Sequence, residues 1–490
     1  MKITASQLYD HISCPHRVTL DAHGDPARRD PVSPFVRMLW DRGSAFERTS
    51  IDALPEGTAF IGDGDGDRLA ATLAAMDAGA DIIQGGRIAA DDLLGDPDLL
   101  IRIGQCYMPA DIKSGRGEEG EGADATPKPH YAVQIALYVD VLERLGRSAG
   151  RFAETWDVRG ERIRYALEEQ RGTRTAETWW GLYERCRDEV RGALARTVQT
   201  RGALAAGCGL CHWHTLCRAE LESAGDLTLI PSLGRALRDR MSTPIGSIGE
   251  FAATDPEVYV ADKVTVFPGL GPDRLRLVHA RARLLTEPGA AAFLRAPVEL
   301  PVRPVEVFFD IEADPMRDCV YLHGFVERRD RDPSTDTFTG FFADEPTPTA
   351  EREAFADAMA YMAARPEGAI YYYSKYERTM YRKLQARYPD VCGADEIEAL
   401  FTPPRSIDLY QDVVTKATEW PTRNHSIKTL AKYLGFVWRD TDPSGAASIE
   451  WYHRWVETRD PAVKQRILDY NEDDCVATAV LLEGIRALAA

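Results

Sequence analysis

The sequence lacks any apolar run approaching the ~20 residues that a membrane-spanning helix needs, so no membrane partner is expected. It also lacks a basic surplus. Lys and Arg total 59 against 77 Asp and Glu, a net charge of −18. A passive coat on nucleic acid, which needs broad positive charge, is thereby excluded. An enzyme acting on nucleic acid is not, because such enzymes spend acids on metal ligands and can keep a local basic groove. Cysteine is sparse, 9 in 490 residues, too few for a disulfide scaffold. The opening MKITASQLYDHISCPHR lacks the basic-then-apolar order of a signal peptide, and a cytoplasmic location is expected. There is no G-x-x-x-x-G-K-[ST] loop, so no ATPase activity is expected. No repeat of solenoid period occurs. With 44% hydrophobic and 28% charged residues, disordered and collagen-like classes are excluded as well.

What is present is enough chain for about three domains at ~150 residues each. The texture divides it into 1–225, 226–255, 256–303 and 304–490. The third stretch alternates like strands in VYVADKVTVF and RLRLVHARARLL. Flexible joints are expected at 118–130, 269–273 and 328–340, which are rich in Gly, Pro and Asp without apolar period.

The first chemical cluster lies in GDPDLLIRIGQCYMPADIKSG, residues 95–115. LLIRI and MPADIKSG read as the two strands of a hairpin. Asp98 opens the first, and Asp111 and Lys113 lie two apart on the second, hence on one face. Two carboxylates beside an ammonium suit a divalent metal. The acids hold Mg²⁺ or Mn²⁺, and the lysine orients the attacking water or stabilises the charge developing at phosphorus. WDRGSAFERTSI reads as a helix carrying Glu47, and HYAVQIALYVDVLERLG as one with Gln134 and Tyr138 on one face. The ordered set Asp98, Asp111-x-Lys113, Gln134-x-x-x-Tyr138 resembles the PD-(D/E)XK nuclease core of the RecB type. It departs in carrying Asp111 where many relatives have Glu; a shorter acid still binds metal.

Cys208, Cys211 and Cys217 follow a C-x2-C-x5-C spacing, and Cys14 stands alone near the start. In a reducing cell such thiols point to a metal or cluster. Zinc is one candidate, with His212 or His214 as possible ligands. One cysteine before the nuclease-like core and three after it is similar to the iron–sulfur clasp of RecB-family nucleases, which implies a [4Fe–4S] cluster tying the ends of the domain together. Cys106, Cys186, Cys319, Cys392 and Cys475 have no partners at ligand spacing and read as buried small apolar residues.

In the connector, IPSLGRA at 230–236 resembles the hairpin of a helix-hairpin-helix element. There Gly234 would let backbone N–H groups approach a phosphate, with Arg235, Arg238 and Arg240 adding cationic contacts.

A second acidic cluster follows. VEVFFDIEADP is an apolar strand broken by Asp310 and Glu312 on one face, an arrangement that is costly unless the acids hold a metal. YYYSKYERTMYRKL runs from strand to helix and offers Glu377, SIDLY offers Asp408, and the last helix carries Tyr470 and Asp474 on one face. Asp-x-Glu, a later acid and Tyr-x3-Asp resemble the DEDDy exonucleases of the RNase H-like fold, and SIKTLAKYLGF resembles the helix preceding their last motif. The resemblance implies two-metal phosphodiester hydrolysis with 3′→5′ polarity, Tyr470 positioning the water. The second motif departs: Glu377 stands where the family has Asp, one methylene longer, and Asp408 is the alternative ligand.

The whole chain resembles RecB-like nucleases that join an iron–sulfur PD-(D/E)XK domain to an RNase H-like domain. The fold class expected is multidomain α/β with a helix-hairpin-helix-like connector. The function implied is a Mg²⁺- or Mn²⁺-dependent DNA nuclease acting on single-stranded or end-bearing DNA in repair, recombination or defence. RNA as substrate, a binding scaffold without turnover, and a helicase acting in trans remain open alternatives.

Overall fold

The computed structural model describes residues 1–62, 67–120, 125–172, 175–441 and 443–489. The chain forms two compact units, 1–220 and 221–490. The connector and the 256–303 stretch therefore belong to the second unit, and the boundary falls at 220 rather than 225. No helix among the described residues is long and apolar enough to cross a membrane.

The first unit is built on a six-stranded mixed sheet. Its strands run in the spatial order Arg162–Ala166, Phe152–Trp156, Cys106–Ile112, Leu99–Ile103, Ile82–Gln84 and Ala59–Phe60. The hairpin at its centre pairs Leu99 with Ala110 and Ile103 with Cys106. The helix Pro129–Arg144 then crosses to a strand parallel to Cys106–Ile112. Eleven of its sixteen residues are buried, from Tyr131 to Leu142. Such all-round burial makes it a core helix rather than a surface one. Its buried Asp140 is satisfied by Arg144 at 2.7 Å, Tyr183 at 2.6 Å and Arg187 at 3.0 Å, as a buried charge requires. Gly95 lets the helix lie close, since a Cβ there would sit 2.5 Å from the Tyr138 ring.

The second unit carries a five-stranded sheet in the order Asp332–Phe342, Cys319–Arg329, Val305–Asp314, Ala369–Tyr372, Ser406–Asp408. The first three are antiparallel and the last two run parallel to Val305–Asp314. Alternation along VEVFFDIEAD sends Phe308 to one face and Val307, Phe309 and Ile311 to the other. The final helix, Pro461–Ala489, covers the Phe308 face through Cys475, Ala479, Leu482 and Ile485. Helices Pro348–Ala363 and Tyr376–Arg387 cover the other through Phe355, Ala358, Tyr381 and Leu384. This is a three-layer α/β/α arrangement.

Several expectations are corrected. RLRLVHARARLL is not a strand but lies in the helix Pro272–Thr286, which buries Leu275, Val278, Arg281 and Ala282 at helical spacing. VYVADKVTVF supplies only a two-residue-per-strand hairpin, Val260–Ala261 with Val264–Thr265. The joint at 328–340 is the turn and strand Asp332–Phe342. It is polar because it is an edge strand, paired on one side only. The joint at 269–273 is the turn into Pro272–Thr286, with Gly269 at φ 78°. In 118–130 the short strands Glu118–Glu119 and Thr126–Pro127 pair, and 121–124 lie outside the described residues. Cys106 is half-buried rather than buried, whereas Cys186, Cys319, Cys392 and Cys475 are buried.

Candidate active sites

In the first unit, the hairpin and the core helix bring Asp98, Asp111, Lys113 and Gln134 together. Asp98 Oδ2 accepts from the Ile112 N–H at 2.7 Å, and Asp111 Oδ1 from the Asp98 N–H at 3.4 Å. Lys113 Nζ donates to Asp111 Oδ2 at 2.8 Å and to Gln134 Oε1 at 3.0 Å. It also lies 5.2 Å from the centre of the Tyr131 ring. Tyr138 packs alongside, its hydroxyl 3.4 Å from the Asp96 carbonyl. Burial and the neighbouring Asp111 push the Asp98 carboxyl well above its usual range; Glu47 adds a smaller push from the helix Pro34–Asp52. A proton or a cation is therefore needed to hold Asp98 and Asp111 side by side.

Cys14, Cys208, Cys211 and Cys217 are all half-buried. Cys14 sits at the junction of helices Ala5–Ser13 and Pro15–His23. Burial pushes the Cys217 thiol up to about 12, with Cys14, Cys211 and Cys208 adding to the shift. Burial likewise raises Cys211, again with contributions from Cys14 and Cys208. The four thiols thus share one neighbourhood although 194 residues separate Cys14 from Cys208. His212 is engaged elsewhere: its Nε2 lies 2.6 Å from Asp21 Oδ1.

In the second unit, Asp310, Glu312 and Asp474 each offer a ligand atom, and the three lie within 4.8 Å of one another. Among the described residues they are the one such group of three or more acids, cysteines or histidines. Asp310 and Glu312 come from one strand, Asp474 from the final helix. Each carboxylate is turned by a donor that leaves its charge intact. Asn471 Nδ2 donates to Asp310 Oδ2 at 2.8 Å. Trp438 Nε1 donates to Asp474 Oδ1 at 2.7 Å. The Tyr321 hydroxyl lies 3.3 Å from Glu312 Oε2 and 2.7 Å from Ser448 Oγ. Tyr321 is skipped in the strand pairing, where Glu312 opposes Leu322 and Ala313 opposes Val320; such a bulge re-aims a side chain. Gly324 stands opposite Asp310 in the ladder, and a Cβ there would fall 1.5 Å from Asn471 Oδ1.

Burial raises all these acids, and repulsion from their neighbours in the site adds to it at Asp310 and Glu312. Glu312 is pushed up to about 8, first by burial and then by Asp474. Asp310 is raised well above its usual range by burial, Asp474 and Glu312. Asp474 is raised by burial, against which the Lys428 ammonium acts. Glu377 is buried, with Oε2 lacking any hydrogen-bond partner, and it adds to the repulsion on Asp310. Three converging acids and an orphaned fourth fit a divalent cation of the Mg²⁺ or Mn²⁺ type, which takes oxygen ligands. Asp408 does not join them. Its Oδ1 accepts from the Ser374 N–H at 3.1 Å and the Gln411 N–H at 3.0 Å. It thereby holds Ser374 at φ 116°, a strained conformation beside the site. A cleft of about 260 Å³ opens over the triad, lined by Asp310, Glu312, Tyr376, Ile449, Tyr470 and Asp474.

In the connector, Gly234 is exposed at the start of the helix Arg235–Met241 and Arg235 is half-buried. Arg238 is not a solvent-facing cation. It is 2% exposed, and its guanidinium pairs with Asp226 at 2.8 Å and Asp239 at 2.6 Å. Arg240 donates to the Pro268 carbonyl at 2.6 Å. Sequence reasoning missed Asn471, Trp438, Tyr321, Ser448 and Lys428. Asn471 and Lys428 lay inside stretches that had been singled out, the Tyr470–Asp474 motif and SIKTLAKYLGF, without being assigned a role.

The layering, strand order and acidic triad define a nuclease-like α/β/α domain. Residues 307–485 match the RNase_H_2 family model, of the RNase H superfamily. This part of the chain is RNase H-like, and that superfamily suggests metal-dependent nuclease-type chemistry on nucleic acids. No curated protein matches the chain.

Proposed function

We propose that the protein is a divalent-metal-dependent DNA nuclease with two sites, exonucleolytic on single-stranded or end-bearing DNA. The observation that carries this reading is the convergence of Asp310, Glu312 and Asp474 within 4.8 Å of one another. Bound Mg²⁺ or Mn²⁺ would supply water activation and stabilisation of the leaving oxygen. The chain's own residues do the rest. Asp310, Glu312 and Asp474 offer the ligands, with Glu377 behind them. Asn471, Trp438 and Tyr321 fix the carboxylate rotamers, as outer partners of metal ligands do. Tyr470 orients the water, and Tyr376, 45% exposed at the mouth of the cleft, offers a ring to a terminal base.

In the first unit, Asp98 and Asp111 would hold a metal, with Lys113 set by Gln134 to meet the substrate phosphate, as in RecB-type PD-(D/E)XK nucleases. Glu47 and Tyr138 support that site. Cys14, Cys208, Cys211 and Cys217 would hold a [4Fe–4S] cluster. Zinc on the same four thiols is the alternative. Gly234 and Arg235 would meet a backbone phosphate. A cytoplasmic setting in repair, recombination or defence, with a helicase in trans, completes the reading.

The test is cleavage of 5′- and 3′-labelled single and double strands, DNA and RNA, with Mg²⁺ or Mn²⁺. Wild type, Asp111→Ala, Asp310→Ala and the double variant are compared. Each single variant should lose one product pattern and the double variant all cleavage. Cleavage surviving in the double variant overturns the two-site reading. Binding without cleavage by wild type makes the protein a scaffold, and cleavage of RNA alone makes it an RNase.

A further inference from the structure

Lys428 lies in the helix Ile427–Tyr433 and reaches the edge of the second acidic site. Its Nζ donates to Tyr470 Oη at 2.6 Å and to the Pro443 carbonyl at 2.7 Å. It also sits 4.6 Å from the centre of the Tyr470 ring. Among the described residues it forms no ion pair with a carboxylate, so it is not half of an ordinary salt bridge. An ammonium only donates, whereas a phenol has one proton and accepting lone pairs. The direction of the bond is therefore fixed: Tyr470 accepts from Lys428, and its own proton is left for the carboxylate side, where Asp474 takes it. Two acceptors from different segments, one of them backbone, hold Nζ in place. The remaining N–H is available to an incoming oxygen.

We infer that Lys428 is the positioning residue for Tyr470. It turns the phenol so that its proton faces the carboxylates, bonded to Asp474 until a water or phosphate oxygen seated among Asp310, Glu312 and Asp474 takes over that hydrogen bond. It also places a positive charge beside the phosphate to be cut. This deepens the nuclease reading and rests on it. The charge reaches the acids: Lys428 opposes the burial that raises Asp310, Glu312 and Asp474. A cation there favours an anionic substrate and disfavours a metal ion slightly. A residue that only stabilised the fold would do neither.

The experiment uses the full-length chain loaded with Mn²⁺. Rates on single-stranded DNA are measured for wild type, Lys428→Met, Lys428→Arg, Tyr470→Phe and the Lys428→Met/Tyr470→Phe pair. Lys428→Met should lower kcat by ~10²-fold, the size typical of one lost transition-state donor, with KM changed only ~3-fold or less. Lys428→Arg should recover part of the loss, which separates the inference from a folding defect. In the Tyr470→Phe background the Lys428→Met change should cost ~3-fold or less, because residues acting as a unit are not additive. Mn²⁺ titration gives an independent readout: Lys428→Met should bind Mn²⁺ several-fold more tightly. Multiplicative losses in the double variant, or unchanged Mn²⁺ affinity, overturn the inference while leaving the nuclease reading intact. A wild type that cleaves nothing removes both.

Discussion

The two acidic sites solve the same electrostatic problem in opposite ways. In the first unit a lysine lies inside the site: Lys113 is hydrogen-bonded directly to Asp111 at 2.8 Å, and its charge also acts on Asp98. In the second, three acids converge, each is turned by a neutral donor, and the cation Lys428 stays on the far side of Tyr470. The first site is partly neutralised by its own lysine. The second stays strongly electronegative and depends on protons or a metal. The lesson is that charge compensation, more than acid count, decides how steeply a site will depend on metal.

The sharpest way to break that comparison is to remove one acid from each site. Asp310→Ala and Asp111→Ala should each abolish the cleavage assigned to their own site, by ~10³-fold or more, read on end-labelled strands with Mn²⁺.

Stability comes next. Arg238 and Asp226 are a fully buried pair, and breaking such a pair costs about 3–5 kcal/mol. Arg238→Ala should therefore lower the denaturation midpoint markedly, whereas Arg235→Ala should weaken DNA binding with little effect on stability.

A third, smaller effect is set by pH. Burial and the neighbouring Asp474 raise Glu312 from the ordinary 4.5 to about 8 in the folded chain. A group with a raised folded pKa stabilises fully below its unfolded pKa and loses that contribution as pH climbs through the folded one. The metal-free protein should thus lose on the order of a few kcal/mol between about pH 4.5 and pH 8. Added Mn²⁺ should restore it, and Glu312→Gln should flatten the curve, followed by thermal melts at each pH. Asp98 in the first site, raised by burial and by Asp111, adds a loss of the same sign.

The smallest expected effect is at Gly324. Gly324→Ala forces Asn471 off Asp310, a crowding change worth ~1–3 kcal/mol, and should cut second-site turnover while leaving first-site products unchanged.

Much of this was legible in residue order because strands and helices write their periods locally. VEVFFDIEAD displays its buried strand and its two acids without any partner. HYAVQIALYVDVLER displays a core helix. Where the reading failed, a distant partner decided the outcome. Arg281 looks like the polar half of a strand alternation, yet it is buried in a helix because Glu419 meets it at 2.8 Å across 138 residues. The Asp332–Phe342 strand opens on the polar run DPSTDT, which edge pairing makes a strand, and only its later Phe338, Phe341 and Phe342 pack against the core. Arg238 offered a cation to phosphate in sequence, and the fold spent it on Asp226. Asn471, Trp438 and Lys428 become site residues only when three separate segments close on one strand.

The most direct test of the central claim is Mn²⁺ binding, measured by calorimetry at pH 8 in buffers of different ionisation enthalpy, for wild type, Asp310→Asn and Asp111→Asn. Wild type should bind Mn²⁺ with release of protons, Asp310→Asn should lose that proton-linked event, and Asp111→Asn should keep it. Proton-linked Mn²⁺ binding that persists unchanged in Asp310→Asn would contradict the account.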